Sequence, residues 1–237
     1  MGDFSNDYYN PYQSAKLGVR RFIREKLNLS PRVPKLFKVI RELPEGARVL
    51  DAGCGTGGFL ELMEKENPAI SSVGIDIGRP PSFASKGELL RGSVTDLPFD
   101  DDSFYVVTCS HVLEHLHDPG PCVVELLRVC KPEGTIYIET PSPRAATMPF
   151  FNVFWDDPTH VRPYSQTGLR RLFEMYGGAE IKTGIKKSLP AVLFGFPYLI
   201  IGKLIGDGQA KSMFAIYTFG FSVYAIAKKR KARAGTS

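Results

Sequence analysis

The segment RVLDAGCGTGGFLELMEKE, residues 48 to 66, constrains this chain more than any other. A short apolar run ends on an acid, crosses four glycines within six residues and continues with helical periodicity. The glycines therefore form a strand-to-helix turn. Glycine lets the backbone pass close to a ligand and leaves the free N–H groups of the helix start facing it. Such a turn belongs to a fold in which strands and helices alternate.

The rest of the chain repeats that alternation. SSVGIDI, FYVVTCS and TIYIETPS read as strands, and HVLEHLHDPGPCVVELLRVCKPEG is helical in its second half. ELLRGSVTDLPFDDDS connects the second strand to FYVVTCS, and GFSVYAIAKK reads as a closing strand. Residues 14 to about 42 read as helices broken near Pro31 and Pro34, with Phe22, Ile23, Leu27, Leu36, Phe37 and Ile40 as apolar positions. The expected fold is α/β, a doubly wound, mostly parallel, Rossmann-like sheet covered on both faces. Ligands in such sheets sit beyond the carboxyl ends of the strands. That edge collects Asp51, Gly53, Asp76, Asp96, Ser110 and Thr140.

At 237 residues, with 43% apolar and 23% charged positions, the chain is expected to form one domain over 1–237. A helical or lid segment spans 1–45, a cofactor-binding core 46–142, and an acceptor-side insertion with the closing strand and a basic tail 143–237. The polar first ten residues carry no signal peptide pattern, so a cytoplasmic location is expected. Cys54, Cys109, Cys122 and Cys130 lack paired spacing and read as reduced thiols. The net charge of +5 equals the five cations Lys228, Lys229, Arg230, Lys231 and Arg233; without them 25 basic residues balance 25 acidic ones. Basicity is thus a property of the end of the chain, which reads as a solvated, frayed terminus, and a nucleic-acid partner is not expected.

Gly53, Gly55 and Gly58 match G-x-G-x-x-G, and Asp76 follows about twenty residues on, as in a dinucleotide site. Asp51 argues against that reading, because a carboxylate two places before the first glycine repels a pyrophosphate. A cationic cofactor is favoured there.

With these residues the chain resembles the class I S-adenosylmethionine-dependent methyltransferases. The likeness rests on VLDAGCGTGGFL, VGIDI, GSVTDLPFDDDSFYVVTCSHVLEHLHDP and KPEGTIYIETP, in order over about residues 47 to 142, with GFSVYAIAKK resembling the family's closing strand. It implies a seven-stranded sheet with an antiparallel last strand and helical insertions. It also implies that S-adenosylmethionine is bound and S-adenosylhomocysteine released. Asp51, Gly53 and Gly55 would line the amino-acid end of the cofactor. Asp76 would hold the ribose hydroxyls, with Ile77 against the adenine. Asp96 would accept from the adenine amino group beside Leu97, and Ser110 and His111 would close the pocket near the methionine part.

His111, Glu114 and His115 also spell H-x-x-E-H, a zinc pattern of some metallopeptidases. The resemblance instead makes VLEHLHDP the turn after the fourth strand, anchored by Leu113 and Leu116 and fixed by polar contacts of Glu114 and His115. A zinc site needs a third protein ligand, for which the sequence offers no clear candidate, so no metal is expected.

The richest polar stretch outside these motifs is FWDDPTHVRPYS, residues 154 to 165. DPTHVRPYS resembles a stretch of methyltransferases that accompany surface-glycan assembly, which implies a hydroxyl of a glycan or lipid-linked saccharide as acceptor. His160 and Asp157 are the candidate catalytic pair, His160 taking the hydroxyl proton. Trp155, Asp156, Arg162 and Tyr164 are the candidate acceptor contacts. The structural alternative makes Asp157 a turn cap, His160 a polar support and Tyr164 the lead-in to a helix near Gln166. NDYYNPY at the start reads either as an aromatic lid or as an unstructured terminus.

Apolar residues 189 to 205 fall short of the roughly 20 residues of a membrane span. They read as an inserted helix, a homodimer contact or, with the basic tail, a peripheral contact at the inner face of the cell membrane. A methyltransferase of a lipid, isoprenoid quinone or other small molecule is the competing enzyme. A non-catalytic cofactor-binding domain and a NAD-dependent oxidoreductase rank lower. Nucleic-acid methylation also ranks lower, because SHVL stands where an N-P-P-Y type motif would be.

Overall fold

The computed structural model describes residues 33–78, 83–147, 154–186, 200 and 220–230. In chain order the elements are α1 (Pro34–Arg41), β1 (Arg48–Ala52), α2 (Gly58–Glu66), β2 (Ser71–Asp76), β3 (Glu88–Arg91), β4 (Phe104–Ser110), a single 3-10 turn (Leu113–His115), α3 (Gly120–Val129), β5 (Cys130–Pro141), α4 (Pro143–Thr147), α5 (Gln166–Met175), β6 (Gly178–Lys186) and β7 (Ser222–Lys229).

The strands form one seven-stranded sheet in the order β3-β2-β1-β4-β5-β7-β6. Strands β1 to β5 pair in parallel, while β7 runs antiparallel to both β5 and β6. This is the doubly wound, Rossmann-like sheet expected from the sequence. Two strands lie beyond those read there. β3 is a four-residue edge strand with no fully buried position, so it lacks an apolar run, and GAEIKTGIK of β6 alternates too weakly to stand out.

Period-two alternation divides the core into two layers. Leu50, Ala52, Val107, Cys109, Ile136 and Ile138 pack with Val123 and Leu126 of α3 and Leu169 and Phe173 of α5. Val49, Val106, Tyr137 and Ile226 pack with Leu36, Phe37 and Ile40 of α1 and Leu60 and Met63 of α2. The central strands are therefore buried on both sides, and the chain reversals fall at the two edges. All four cysteines are buried and free, as thiols.

Lys228 and Lys229, counted both among the terminal cations and in the closing strand GFSVYAIAKK, are residues of β7. Lys228 Nζ donates to the Glu133 carbonyl and to Thr135 Oγ1, and Lys229 Nζ contacts Asp102 and the Arg128 carbonyl. Residues 1 to 32, which include the lid segment, and 189 to 205 apart from Ile200 lie outside the described residues. Among the described residues no helix is long and apolar enough to cross a membrane.

Arg128 at the end of α3 fixes the loop between β3 and β4. Its guanidinium donates to Glu125, Asp101 and the carbonyls of Leu97 and Phe99, all between 2.7 and 2.9 Å. Replacing it by Met keeps the stem and removes every one of these bonds. Arg128→Met should lower stability by about 1–3 kcal/mol after allowance for partial exposure. For a chain of this size that is roughly a 2–12 °C fall in melting temperature. An unchanged urea midpoint would show that the loop is held by its apolar contacts alone.

Candidate active site

The carboxyl ends of β1, β2 and β4 meet around the glycine turn. Gly53, Gly55 and Gly57 all have positive φ. At Gly53 a Cβ would also collide with Val112, and at Gly57 with the ring of Phe83. Gly57 rather than Gly58 is thus the third glycine that the backbone requires; it caps α2 in a left-handed conformation with no side-chain cap bond. Asp76 secures the turn, its two oxygens accepting from the N–H groups of Gly55 and Gly78 at 2.9 Å each. Ile77 beside it is exposed, an apolar surface at the mouth of the turn.

Asp51 is 2% exposed and its Oδ1 accepts from Thr108 Oγ1 at 2.6 Å. Burial pushes its carboxyl up to about 7; the Thr108 bond opposes the shift, and the negative charge of Asp76 adds to it. Ser110 Oγ, two residues further along β4, is buried without a hydrogen-bond partner. A buried carboxylate that no cation among the described residues balances and an unpartnered hydroxyl at adjacent strand ends call for a ligand carrying both a cation and polar atoms.

His111 follows Ser110 at φ 57, a left-handed conformation unusual outside glycine. Its backbone N–H donates to the Glu139 carbonyl at 2.8 Å. Its ring bridges two buried carboxylates, with Nδ1 3.2 Å from Glu114 and Nε2 3.4 Å from Glu139. Burial opposes the charged ring, but the two carboxylates outweigh it and push His111 up to about 10. Glu139 is also bound by Lys186 Nζ at 2.7 Å and Tyr137 Oη at 2.6 Å. Burial raises its pKa, yet the Lys186 and His111 charges hold it well below the carboxylate range. Glu139, Lys186, Tyr137 and Thr108 escaped sequence reasoning. An acid inside the apolar run TIYIETP was the available signal.

The turn after β4 is anchored as expected: Leu113 is fully buried and Leu116 packs against the core. Glu114 accepts from Thr140 Oγ1 at 3.0 Å, and His115 Nδ1 lies 2.7 Å from Thr159 Oγ1. Thr159 brings the polar loop of residues 154 to 165 onto this turn, with the rings of His115 and His160 4.7 Å apart. His160 stacks on Phe154 and its Nδ1 lies 2.6 Å from the Phe154 carbonyl.

Two expected contacts, those of Tyr164 and Asp157, are corrected by this geometry. Tyr164 is buried in the core with its hydroxyl on the Leu113 carbonyl, so it supports the turn instead of meeting an acceptor. Asp157 is 3.9 Å from His160 Nε2, too far for a hydrogen bond, and its Oδ1 instead accepts from Thr159 N and Oγ1. It caps the turn, as in the structural alternative. Leu97 lies in the core with its N–H on Glu125, while Asp96 is exposed. Trp155 is 53% exposed and fixed by its indole N–H on the Ala146 carbonyl; Asp156 is exposed, and Arg162 donates to the His117 carbonyl. A separate cleft of about 420 Å³ near Arg48, Glu64 and Ser72 opens at the opposite end of the sheet, away from these groups.

A methyltransferase-domain family matches residues 19–179, well over half of the chain. The chain belongs to this methyltransferase family. The ubiquinone biosynthesis O-methyltransferase of Hahella chejuensis is 34% identical over 105 residues, 40% of this chain and 43% of that protein. The curated relatives are therefore matched over less than half of their own length. A SAM-dependent methyltransferase from Archaeoglobus fulgidus superposes with a TM-score of 0.60 at 24% identity, covering 89% of this chain and 99% of the other. Phosphoethanolamine N-methyltransferase 2 of Haemonchus contortus, solved with S-adenosyl-L-methionine, gives 0.64 at 14% identity, over 95% of this chain and 60% of that one. These two likenesses show the shared fold. The cofactor of the methyltransferase family is S-adenosylmethionine, and the residues present fit it. Its sulfonium and ammonium supply the positive charge that Asp51 lacks, and its polar atoms can partner Ser110 Oγ.

The Asp51 carboxyl gives a signed prediction. Because its folded pKa is raised, its contribution to stability is full at pH below about 4 and is lost as pH rises through about 7. Asp51→Asn should therefore raise the melting temperature of the cofactor-free protein at pH 8. The removed penalty is at most about 4 kcal/mol for a shift of this size. The same variant should bind S-adenosylhomocysteine roughly 10- to 100-fold more weakly, through loss of a charged hydrogen-bond partner. Wild-type affinity should increase from pH 6 to 8. A flat profile by calorimetry would remove Asp51 from the cofactor site.

Proposed function

We propose that this protein transfers the methyl group of S-adenosylmethionine to an acceptor hydroxyl held between the turn after β4 and the loop of residues 154 to 165. The observation that carries the reading is the direct contact of that loop with that turn: Thr159 bonds His115, while His111 next to it bridges Glu114 and Glu139. The acceptor loop and the cofactor edge thus share one turn. Asp51, Gly53, Gly55, Ser110 and His111 are assigned to the methionine end, and Asp76, Ile77 and Asp96 to the ribose and adenine.

Methyl transfer is an in-line displacement at a carbon already activated by sulfonium, so alignment and exclusion of water do much of the work. A hydroxyl must also lose its proton. His160 is the group assigned to it. A carbonyl only accepts, so Nδ1 of His160 carries the hydrogen donated to Phe154, and the lone pair remains on Nε2. Asp157 acts as a positioning residue through Thr159.

Trp155 offers a fixed aromatic face beside the exposed Asp156 and Arg162, which suits a saccharide with an acidic or phosphate group. A glycan or lipid-linked saccharide is therefore the first acceptor class. A quinone or other small-molecule phenol is the second, favoured by the similarity to a ubiquinone biosynthesis O-methyltransferase. Transfer of labelled methyl from S-adenosylmethionine to lipid-linked saccharide and to quinol fractions would separate them. His160→Ala should lower turnover by about 10²- to 10⁴-fold while leaving S-adenosylhomocysteine affinity within a factor of about two. Unchanged turnover would return His160 to a structural role, and labelling of only the quinol fraction would replace the first class by the second.

A further inference from the structure

Glu114, His115 and His160 each offer one ligand atom, and the three atoms lie within 4.8 Å of one another. The sequence separates His160 from the other two by more than forty residues, so no third ligand was visible before the loop and the turn came together. Hydrogen bonding fixes what each ring presents. His160 Nδ1 faces the Phe154 carbonyl and must donate, leaving its Nε2 as an acceptor. Thr159 Oγ1 gives its single hydrogen to Asp157 Oδ1 at 2.6 Å, so His115 Nδ1 must donate to Thr159 and its Nε2 is likewise an acceptor. Glu114 is a buried carboxylate oriented by the Thr140 hydroxyl. Each of the three clustered residues therefore has an acceptor to offer, and each is held by a separate partner. That outer arrangement is the one that orients histidine and carboxylate ligands in metal sites.

We propose that Glu114, His115 and His160 bind one divalent first-row transition ion of the zinc, iron or cobalt type. Two imidazoles and one carboxylate select such an ion over magnesium or calcium, which prefer all-oxygen shells. Bonds of about 2.0–2.2 Å would draw the three ligand atoms inward from their present separation. Three protein ligands leave positions open, and the cluster lies at the turn that joins cofactor edge and acceptor loop. The existence of the site is independent of the function proposed above. Its role rests on that function and takes the place of the His160 base in it: with Nε2 of His160 on the ion, an acceptor hydroxyl bound at an open position would be acidified, its proton leaving to solvent before the oxygen attacks the methyl carbon and the C–S electron pair passes to sulfur.

The test uses the full chain after treatment with a chelator. Cobalt(II) uptake is followed by visible absorption and zinc(II) uptake by calorimetry, with the thermal shift by S-adenosylhomocysteine measured in parallel. One ion per chain is expected, with affinity reduced about 100-fold or more in His115→Ala and His160→Ala while the thermal shift persists. Thr159→Val, which leaves all three ligands in place, should lose about 10- to 100-fold. A chain that responds to S-adenosylhomocysteine but takes up neither ion overturns the site, as does uptake unaffected by both histidine variants. Uptake without methyl transfer to either acceptor class supports the site and counts against the function. Methyl transfer indifferent to the chelator overturns the proposed role of the ion.

Discussion

Of the buried carboxylates at one edge of the sheet, Asp51, Glu114 and Glu139 are the most fully withdrawn from water, and the way each is balanced organises the surroundings. A buried charge costs several kcal/mol unless it is paired and hydrogen-bonded. Glu139 has a full set of partners in Lys186, His111 and Tyr137. Those partners come from the ends of β4, β5 and β6, so satisfying one acid fixes the relative position of three strands. Glu114 shares His111 with Glu139 and is completed by Thr140, which extends the network into the turn after β4. Asp51 is different. It has a hydroxyl and no cation, and its raised pKa is the consequence.

That asymmetry separates structural from functional acids at the same edge. A carboxylate whose countercharge comes from the chain is finished when the chain folds. One whose countercharge is missing retains a free-energy gain for whichever cation can reach it. His111, placed between the two completed acids, carries a positive charge three residues beyond the Asp51 register partner Thr108. The edge therefore presents an unmet negative charge beside a positive one, a pattern matched by the zwitterionic amino-acid end of S-adenosylmethionine. A dinucleotide has no such end.

Much of the fold was legible because apolar runs and glycines report backbone geometry directly. β1, β2, β4, β5 and β7 each contain a short apolar run, and the turn at Gly53 cannot tolerate a side chain. β3 and β6 escaped because edge strands are half-buried and their composition is mixed. In the site, residues within a motif were legible, while residues that act through space were not. Nothing in local spacing connects Glu139 to Lys186, or Glu114 to His160. Tyr164 illustrates the converse. An aromatic in a polar stretch looks like an acceptor contact, yet its ring fills the core under the turn and its hydroxyl meets a backbone carbonyl.

The closing strand shows why charge runs need the same treatment as charged clusters. Of five terminal cations, Lys228 and Lys229 are hydrogen-bonded within β7 and its neighbours. A membrane contact built on the tail would have to use Arg230, Lys231 and Arg233, because detaching the two strand lysines would break bonds that hold the β4 and β5 ends. Three cations near an anionic surface contribute about 1 kcal/mol each, a weak attraction on its own. Any such contact would therefore require apolar insertion by another part of the chain, with the basic end acting only as a secondary signal.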